Sequence, residues 1–357
     1  AKLFSMVHVK NYNLVVTSTT QEEAFQKYKA ALKQSGAVIT SEMEAFFRVC
    51  PCKIIAVTGS DGKTTTTTLI AEFLKQAGKR VWLGGNIGTP LLPLAEQMEP
   101  DDFAVVELSS FQLMDFPLSP HIAVITNLAP NHLDVHKDMD EYVNAKKNVF
   151  LHQGPDDTLV LNMDNALTHA MAAEAPGRIL EFSRQSVPEN GAYANDGVIL
   201  WSRHEFKTLM MPQSDILLPG LHNVENYLAA ICAVQPFVSV RDIRTVAQNF
   251  AGVEHRIELV RVKDGVRFYN DSIASSPSRT IACLRCFPEK IILIAGGYDK
   301  HIPYDALGPE ICEHVKLLVL TGATAPKIRE AVLSCGSARR SCPEILEIDD
   351  FTEAVKT

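Results

Sequence analysis

Residues 54–78 read IIAVTGSDGKTTTTTLIAEFLKQAG, and this stretch decides the fold. It begins with residues 54–58, which are rich in β-branched side chains and typical of a buried strand. A short polar turn follows, and the apolar residues after it recur at the spacing of one helix face: Leu69, Ile70, Phe73 and Leu74. Gly78 is typical of the position that follows a helix. A strand, a glycine turn and a helix in this order predict a parallel α/β unit.

The alternation of strands and helices continues on both sides of this stretch. Further strands are predicted at 13–17, 81–83, 103–107, 121–126 and 158–161, and a small antiparallel sheet within 185–215. Beyond residue 253 the sequence predicts a hairpin that turns at Asp264 and Gly265. Helices at 277–286 and 325–334 and strands at 290–295, 315–320 and 345–348 complete the pattern. The predicted fold class is therefore α/β.

A chain of 357 residues exceeds what one hydrophobic core usually supports, so several domains are expected. We predict a central domain at 51–253, around the glycine turn, and a smaller doubly wound domain at 254–357. Residues 1–50 contain one clear strand and one helix, at about 21–34, which is too little for an independent core. They are predicted to be a shortened N-terminal domain.

The composition is that of a soluble globular protein, with 46% hydrophobic and 21% charged residues. Lysine and arginine number 34 against 42 acidic residues, and the net charge of −8 disfavours binding to nucleic acid or an anionic membrane. The apolar runs are too short to span a bilayer and no signal sequence is apparent, so we expect a cytoplasmic protein. The eight cysteines are predicted to be reduced thiols, and a structural metal site is the less favoured alternative.

The turn at 59–64 is the sharpest chemical signal. The backbone N–H groups of such a turn, with the N-terminus of the following helix, form an anion site. Lys63 can reach the β- and γ-phosphates of a nucleotide, and the Thr64 hydroxyl can bind Mg²⁺. We predict that this turn binds ATP through Gly59, Ser60, Asp61, Gly62, Lys63, Thr64 and Thr65. The alternative is a glycine turn without a function.

Two further candidates follow predicted strands. Glu107 ends the strand at 103–107, and His132 follows the strand at 121–126. Ligands of open α/β sheets bind beyond the carboxyl ends of the strands, and carboxylates are suitable Mg²⁺ ligands. Glu107 is therefore predicted to be a metal ligand, with a buried salt bridge as the alternative. His132 is predicted to belong to the site, whereas His136 is expected to lie on the surface.

Seven short motifs in a fixed order resemble those of the Mur ligases of peptidoglycan synthesis. They lie at 59–64, 84–88, 107–113, 131–134, 220–226, 254–257 and 270–272, in a matching region from about 54 to 300. The ELSSFQL form of the third motif is most similar to the branch of the family that adds D-glutamate. The resemblance implies a three-domain architecture: a shortened N-terminal Rossmann-like part, a central P-loop ATPase-like domain and a C-terminal Rossmann-like domain. Compared with the family, the last of these is expected to be incomplete at Thr357.

The resemblance implies an ATP-dependent amide ligase that joins D-glutamate to UDP-N-acetylmuramoyl-L-alanine. In this family the substrate carboxylate takes the γ-phosphate of ATP, and the amine then attacks the resulting acyl phosphate. ATP and two Mg²⁺ ions are the implied cofactors. A cytoplasmic monomer without nucleic-acid or membrane partners is expected. Such an enzyme serves cell-wall biogenesis and, through it, cell shape and cell division.

The resemblance also assigns roles to individual residues. The implied catalytic residues are Lys63, Glu107, His132 and Lys146, and the implied metal ligands are Thr64, Glu107, His132 and a carbamylated Lys146. Further implied ATP contacts are Asn223, Asn226, His255, Arg256 and Asp271. The implied substrate-binding residues are Asn86, His132 and Lys300, the last of these on the D-glutamate carboxylate.

One residue departs from the family pattern, and other functions stay open. Many members have a lysine where this chain has Ile273, so one phosphate or carboxylate contact differs. The alternatives are another Mur ligase, a ligase similar to folylpolyglutamate synthase, or a nucleotide-binding regulator without catalysis. Because Lys63, Glu107 and His132 are all retained, we favour the ligase.

Overall fold

The computed structural model describes residues 6–9, 12–17, 38–130, 136–274, 276–299, 302–335 and 342–357. The chain divides into two compact units. Unit 1 comprises Ala1–Leu217 and Val224–Phe250, and unit 2 comprises Leu218–Asn223 and Ala251–Thr357. Each unit has its own sheets and its own hydrophobic cluster.

A small three-stranded sheet begins unit 1. Its strands are β1 (Met6–Val9), β2 (Tyr12–Thr17) and β3 (Val38–Ser41), with β1 antiparallel and β3 parallel to β2. Helix α1 (Glu42–Val49) follows β3 directly. Ser41 caps this helix, because its hydroxyl accepts a hydrogen bond from the N–H of Glu44 at 3.1 Å.

A nine-stranded sheet forms the centre of unit 1. Its strands are β4 (Lys53–Thr58), β5 (Val81–Gly85), β6 (Phe103–Glu107), β7 (Ile122–Ile125), β8 (Thr158–Asn162), β9 (Arg178–Ser183), β10 (Asn190–Asn195), β11 (Val198–Arg203) and β12 (Phe206–Pro212). Their order in space is β12-β11-β10-β9-β8-β7-β4-β6-β5. Strands β4 to β10 pair in parallel, and β11 and β12 extend one edge in antiparallel pairing. Since β4 lies between β6 and β7, its carboxyl end opens beside the ends of two parallel neighbours.

Helices follow the strands of this sheet. They are α2 (Lys63–Gln76), α3 (Ser110–Leu113), α4 (Met139–Lys147), α5 (Ala166–Ala170), α6 (Leu221–Val234) and α7 (Val240–Ala247), with short 3₁₀ turns at Leu92–Gln97, Met171–Glu174 and Gln213–Asp215. The buried face of α2 contains the four apolar residues that the sequence predicts. Asp138 caps α4, because its carboxylate accepts a hydrogen bond from the N–H of Glu141 at 2.9 Å.

Unit 2 contains a hairpin and a parallel sheet. The hairpin joins β13 (Glu258–Lys263) to β14 (Val266–Asn270) through Asp264 and Gly265, which both have positive φ, at 52° and 80°. The parallel sheet has the order β15 (Ile291–Gly296), β16 (Val315–Thr321) and β17 (Glu344–Glu347). The helices are α8 (Pro277–Leu284), α9 (Leu307–His314), α10 (Ala325–Cys335) and α11 (Phe351–Lys356).

The two hydrophobic clusters share no residue. In unit 1 the strand residues Val106, Ile125 and Leu161 pack with Phe46 of α1 and with Phe150. In unit 2 the cluster is formed chiefly by Leu284, Ile311, Leu318, Leu320 and Val332. Each cluster fills the space between a sheet and the helices that follow its strands, as parallel α/β architecture requires.

The α/β prediction is confirmed, and most predicted strands agree with the structure within one or two residues. The expected antiparallel sheet exists but continues the central parallel sheet instead of standing apart from it. In the first fifty residues the prediction missed β1, β3 and α1. The predicted helix at about 21–34 lies outside the described residues. Within the described ranges, every helix is too short or too polar to traverse a lipid bilayer.

Candidate active site

The turn between β4 and α2 is shaped by two glycines with positive φ, Gly59 at 143° and Gly62 at 80°. A Cβ atom at Gly59 would lie 2.0 Å from Oγ1 of Thr126, and one at Gly62 would lie 2.3 Å from Oδ1 of Asn226. Both positions therefore require glycine for conformation and for space. The turn delivers Lys63 to the first position of α2, where backbone N–H groups favour an anion.

Residues that follow β7 hold this turn in place. Oγ1 of Thr126 donates to the carbonyl oxygen of Asp61 at 2.6 Å, and Oδ1 of Asn127 accepts from the N–H of Asp61 at 3.0 Å. The buried Ser60 hydroxyl donates to the carbonyl oxygen of Ala129 at 2.9 Å. Lys63 folds back over the turn, and its Nζ donates to the carbonyl oxygens of Gly59 and Ser60 at 3.1 and 3.0 Å. Hydrogen bonds with the residues that follow β7 and with Lys63 therefore define the conformation of this turn.

Glu107 lies beside the turn, at the carboxyl end of β6. Its Oε2 accepts a hydrogen bond from Oγ1 of Thr64 at 2.8 Å, and its Oε1 accepts one from Nδ2 of Asn86 at 3.1 Å. Thr64 and Glu107, which are both predicted metal ligands, therefore lie in direct contact, and Asn86, a predicted substrate contact, binds the same carboxylate. Both of these hydrogen-bond donors are neutral side chains.

The carboxylate of Glu107 and the hydroxyl of Thr64 are hard oxygen donors of the kind that Mg²⁺ prefers. Their separation of 2.8 Å lets both approach one cation, so the donor set fits a divalent metal. In the part of the chain that the structure describes, no three His, Cys, Asp or Glu side chains converge on a metal position. A metal at this point would therefore take its remaining ligands from elsewhere, such as phosphate oxygens or water.

Lys146 is buried below the turn, with 1% of its surface exposed. Its Nζ donates to Oγ1 of Thr58 at 3.1 Å and to the carbonyl oxygen of Gly59 at 2.9 Å. Burial lowers the pKa of Lys146 well below its usual value, and the nearby ammonium of Lys63 acts in the same direction. The carboxylates of Glu107 and Asp61 oppose this shift but do not reverse it. Burial therefore favours the neutral amine at this position.

Helix α4 places the ring of Tyr142 beside this lysine. Nζ of Lys146 lies 4.8 Å from the ring centroid of Tyr142, whose hydroxyl is 2.9 Å from Oγ of Ser60. The ring of Tyr142 also contacts His136 edge to face, at 5.3 Å between centroids. Tyr142 thus connects the turn at 59–64, the buried amine and a buried histidine.

The expectation that His136 lies on the surface is wrong, because only 1% of it is exposed. Its Nε2 lies 2.9 Å from Oγ of Ser110, and its ring stacks on Phe111 with centroids 5.2 Å apart. Its Nδ1 is 3.6 Å from a carboxylate oxygen of Glu141. The loop composition around His136 suggested exposure, but the aromatic residues that enclose it come from two separate helices.

The two asparagines of α6 are both buried. Oδ1 of Asn226 accepts a hydrogen bond from Oγ1 of Thr66 at 3.3 Å, which ties α6 to the first turns of α2. Nδ2 of Asn223 donates to the carbonyl oxygen of Pro219, just before α6 begins, at 2.7 Å. Their assignment as adenine contacts stays a prediction.

In unit 2, His255 and Asp271 lie beside the start and end of the hairpin. Oδ1 of Asp271 accepts a hydrogen bond from the N–H of Ile257 at 3.1 Å, and burial raises the pKa of Asp271. Nδ1 of His255 lies 2.8 Å from Nδ2 of Asn270. Arg256 is close enough to Asp271 to act on the carboxylate electrostatically. These three ATP-binding predictions thus fall in one part of unit 2.

Two predicted site residues lie outside the described residues. His132 belongs to the segment 131–135, and Lys300 adjoins His301. The roles of His132 in the metal site and of Lys300 in substrate binding stay predictions. The residues that the sequence analysis missed are Tyr142, Thr126 and Asn127. Thr126 ends the predicted strand at 121–126 and Asn127 directly follows it, and this position at a strand end is the signal that could have found them.

Comparison with known proteins identifies the class. Residues 57–234 match the Mur ligase middle domain, and residues 255–357 match the Mur ligase glutamate ligase domain. The chain belongs to the Mur ligase family.

Individual relatives carry a more particular name. The chain is 59% identical over 302 residues to the UDP-N-acetylmuramoylalanine--D-glutamate ligase of Acetivibrio thermocellus, covering 85% of this chain and 65% of that protein. It is 52% identical over 325 residues to the ligase of the same name from Clostridium kluyveri, covering 91% and 70% respectively. The chain thus spans about two thirds of the length of these relatives. Their names agree with the D-glutamate branch that the 107–113 motif predicts.

Solved structures of Mur ligases share the fold. MurC from Thermotoga maritima has a TM-score of 0.67 at 18% identity, covering 96% of this chain and 78% of that chain. MurF from Acinetobacter baumannii has a TM-score of 0.62 at 18% identity, covering 88% and 77%. The predicted Mur ligase architecture is confirmed at the level of the fold.

Proposed function

We propose that this chain provides the ligase activity that joins D-glutamate to UDP-N-acetylmuramoyl-L-alanine with hydrolysis of ATP to ADP and phosphate. The observation that carries the proposal is the cluster of Lys63, Thr64, Glu107 and Lys146 around one glycine turn, in a chain at least half identical to D-glutamate ligases. Within this proposal the enzyme is a cytoplasmic monomer of peptidoglycan synthesis.

In the first half-reaction, the carboxylate of UDP-N-acetylmuramoyl-L-alanine attacks the γ-phosphorus of ATP, and the bond to ADP breaks. Phosphoryl transfer requires mainly positioning and neutralisation of charge. The backbone N–H groups at the start of α2 hold phosphate oxygens, and Lys63 turns from its carbonyl partners to the β- and γ-phosphates. Thr64 and Glu107 would hold a Mg²⁺ ion, which supplies positive charge beside the phosphates when it is bound.

The role proposed for Lys146 is a carbamate. A neutral lysine amine adds CO₂ with loss of one proton, and the product is an anion with two oxygen atoms. Burial lowers the pKa of Lys146, which supports the neutral amine that this addition requires. A carbamate beside Glu107 would be a further hard oxygen ligand, and His132 is the proposed partner for a second Mg²⁺ ion.

In the second half-reaction, the amine of D-glutamate attacks the acyl phosphate, an amide bond forms and phosphate leaves. We propose that Lys300 binds a carboxylate of D-glutamate and that Asn86 contacts the UDP-sugar substrate. Asn223, Asn226, His255, Arg256 and Asp271 are the proposed contacts to the adenosine part of ATP. The amide of Asn86 already donates to Glu107, so a substrate contact here lies beside the proposed metal ligand.

The experiment is release of ADP in the presence of UDP-N-acetylmuramoyl-L-alanine, ATP and Mg²⁺. D-glutamate is compared with L-glutamate, L-lysine and glycine, and Lys63→Ala serves as the inactive control. ADP release that requires D-glutamate and Lys63 supports the proposal. Equal release with L-lysine would indicate another Mur ligase activity, and nucleotide binding without any ADP release would indicate a regulator.

A further inference from the structure

Two cysteines separated by one proline lie where α1 meets β4, away from the residues of the proposed reaction. Cys50 directly follows α1, and its N–H donates to the carbonyl oxygen of Phe46 at 2.9 Å. Cys52 directly precedes the first residue of β4. Pro51 between them has a fixed φ, so the two cysteines are held by a stiff connection.

The two sulfur atoms are already close together. Sγ of Cys50 lies 3.5 Å from Sγ of Cys52, and a disulfide bond would require about 1.5 Å of further approach. Cys52 is 2% exposed and belongs to the hydrophobic cluster of unit 1, whereas Cys50 is partly exposed. The pair therefore combines a partly exposed cysteine, packed against this cluster, with a buried one.

The charge distribution within the pair is asymmetric. The hydrogen bond from the Cys52 thiol stabilises the Cys50 thiolate and lowers the pKa of Cys50 to about 7, against the effect of burial. The same hydrogen bond, together with burial, raises the pKa of Cys52. Near neutral pH the Cys50 sulfur is thus partly a thiolate, and the Cys52 sulfur keeps its proton.

We propose that Cys50 and Cys52 form a peroxide-reactive dithiol that closes reversibly to an intramolecular disulfide. The Cys50 thiolate attacks one oxygen of hydrogen peroxide, the O–O bond breaks, and the departing hydroxide takes a proton to become water. The Cys52 sulfur then attacks the sulfur of the resulting sulfenic acid. The S–O bond breaks, and the second hydroxide leaves as water with the Cys52 proton. In sum, two thiols are oxidised to one disulfide and one peroxide is reduced to two waters.

Other cysteines of the chain provide internal comparisons. Burial raises the pKa of Cys232, Cys283 and Cys286. The sulfur atoms of Cys312 and Cys342 are 3.9 Å apart, but Cys312 is 2% exposed and contacts the carbonyl oxygen of Val332. Cys342 is partly exposed, as Cys50 is, so this pair of unit 2 has a similar exposure pattern but a longer sulfur–sulfur distance, and it serves as the control pair.

The test uses a convenient feature of the sequence. Trypsin cleaves after Arg48 and Lys53, so one five-residue peptide, 49–53, carries both cysteines. The chain is treated with hydrogen peroxide, free thiols are alkylated, and the digest is analysed by mass spectrometry. The expected product is this peptide two hydrogen atoms lighter and without alkyl groups, formed before any link between Cys312 and Cys342. Treatment with a dithiol reductant should restore both alkylation sites.

A variant isolates the first step. In Cys52→Ser the neighbouring hydroxyl can still donate a hydrogen bond, but the reaction stops at the sulfenic acid of Cys50, which dimedone traps. Because only the thiolate reacts, the trapping rate should rise about tenfold per pH unit below the pKa of Cys50 and level off above it. The proposal is overturned if peptide 49–53 is recovered with both thiols alkylated while the partly exposed Cys335 is already oxidised. It is equally overturned if Cys50 is linked to another chain instead of to Cys52.

Discussion

Lys146 and Lys147 are adjacent in sequence but differ completely in environment. Lys146 is buried under the turn at 59–64, whereas Nζ of Lys147 forms an ion pair with Glu174 at 2.6 Å in a partly exposed position. Successive residues of a helix point about 100° apart, which explains the difference. The two lysines therefore form a matched pair for testing the proposed carbamate.

We expect Lys146→Ala to lower kcat by about 100-fold or more, as removal of a group that stabilises transition-state charge does. A short-chain carboxylate such as acetate should restore part of the activity, because it can replace the lost oxygen ligand. Lys147→Ala should retain most of the wild-type rate. Steady-state ADP release measures all three. Full activity of unmodified Lys146 under CO₂-depleted conditions would contradict the carbamate.

His136 is expected to be important for stability. Its ring is enclosed by Phe111, Tyr142 and the Ser110 hydroxyl. His136→Ala leaves a cavity between two helices and should lower the free energy of unfolding by about 2–4 kcal/mol. Urea unfolding measures the change, with the exposed His152→Ala as control. If the two variants have the same free energy of unfolding, the residues around position 136 fill the cavity without a loss of stability.

At the scale of residues, a contact could be predicted from the sequence when its partners lie within a few positions of each other in the chain. Gly59, Gly62 and Lys63 could be placed because a tight turn and the next helix lie within a few positions of each other. The burial of His136 could not be predicted, because Phe111 approaches it from a helix 25 residues away in the sequence. Likewise, nothing near Lys146 shows that its amine reaches Thr58, which is 88 residues distant.

At the scale of elements, helix α2 has a glycine of similar conformation at each end. Gly62 precedes the helix with φ of 80°, and Gly78 follows it with φ of 75°. A Cβ atom at Gly62 would collide with Asn226, whereas one at Gly78 would have no atom within 4 Å. Substitution at the two ends therefore separates backbone strain from steric collision.

We expect Gly78→Ala to destabilise the chain by about 1 kcal/mol, the cost of a left-handed conformation for a residue with a Cβ atom. Gly62→Ala should cost more and should also weaken ATP binding, because Asn226 and the first turn of α2 must move. Thermal unfolding and equilibrium binding of an ATP analogue measure the two effects. Equal losses of thermal stability and of ATP-analogue binding in both variants would show that the close approach of Asn226 to Gly62 contributes to neither.

A histidine connects the starts of two neighbouring strands. Nδ1 of His121, just before β7, accepts a hydrogen bond from the N–H of Ile54 in β4 at 3.1 Å. Burial lowers the pKa of His121 from 6.5, and the nearby Lys53 adds to the shift. The unfolded chain therefore binds a proton at His121 more readily than the folded chain does.

Stability should consequently decrease as the pH falls below 6.5, and the loss should stop once the pH is below the folded-state pKa. His121→Gln removes the titrating group and should reduce the pH dependence of the free energy of unfolding. Urea unfolding of both proteins across this interval is the measurement. If the free energy of unfolding of the variant depends on pH as strongly as that of the wild type, other titratable groups cause this dependence.

The positions of the strands were easier to predict from the sequence than the pairing between them. The β-branched runs of β4, β6 and β7 mark buried parallel strands, because both faces of such strands are covered. The pairing of β10 to β12 with the parallel sheet is set by contacts between distant segments, which one strand's composition does not encode. Helix α1 was missed because its eight residues contain only two fully buried side chains, so the apolar period is short.

At the scale of the whole molecule, the two separate hydrophobic clusters predict two separate unfolding events. Leu161 in β8 and Leu318 in β16 are matched residues, since each is a fully buried leucine of a parallel strand in its own cluster. Leu161→Ala and Leu318→Ala should each cost about 2–5 kcal/mol. In scanning calorimetry each variant should lower the transition of its own unit only. A single transition that both variants lower equally would show that the units unfold together.

The order of the central sheet has a consequence for synthesis of the chain on the ribosome. The turn at 59–64 is synthesised before its partners. Thr126, whose hydroxyl donates to the carbonyl oxygen of Asp61, is added 65 residues after Asp61. At about 5–20 residues per second, roughly 3–13 s pass before this partner exists. Asn226 follows Thr66 by 160 residues and arrives after about 8–32 s. A nascent chain therefore contains the complete sequence of the glycine turn for several seconds before it contains the residues that hold this turn in place.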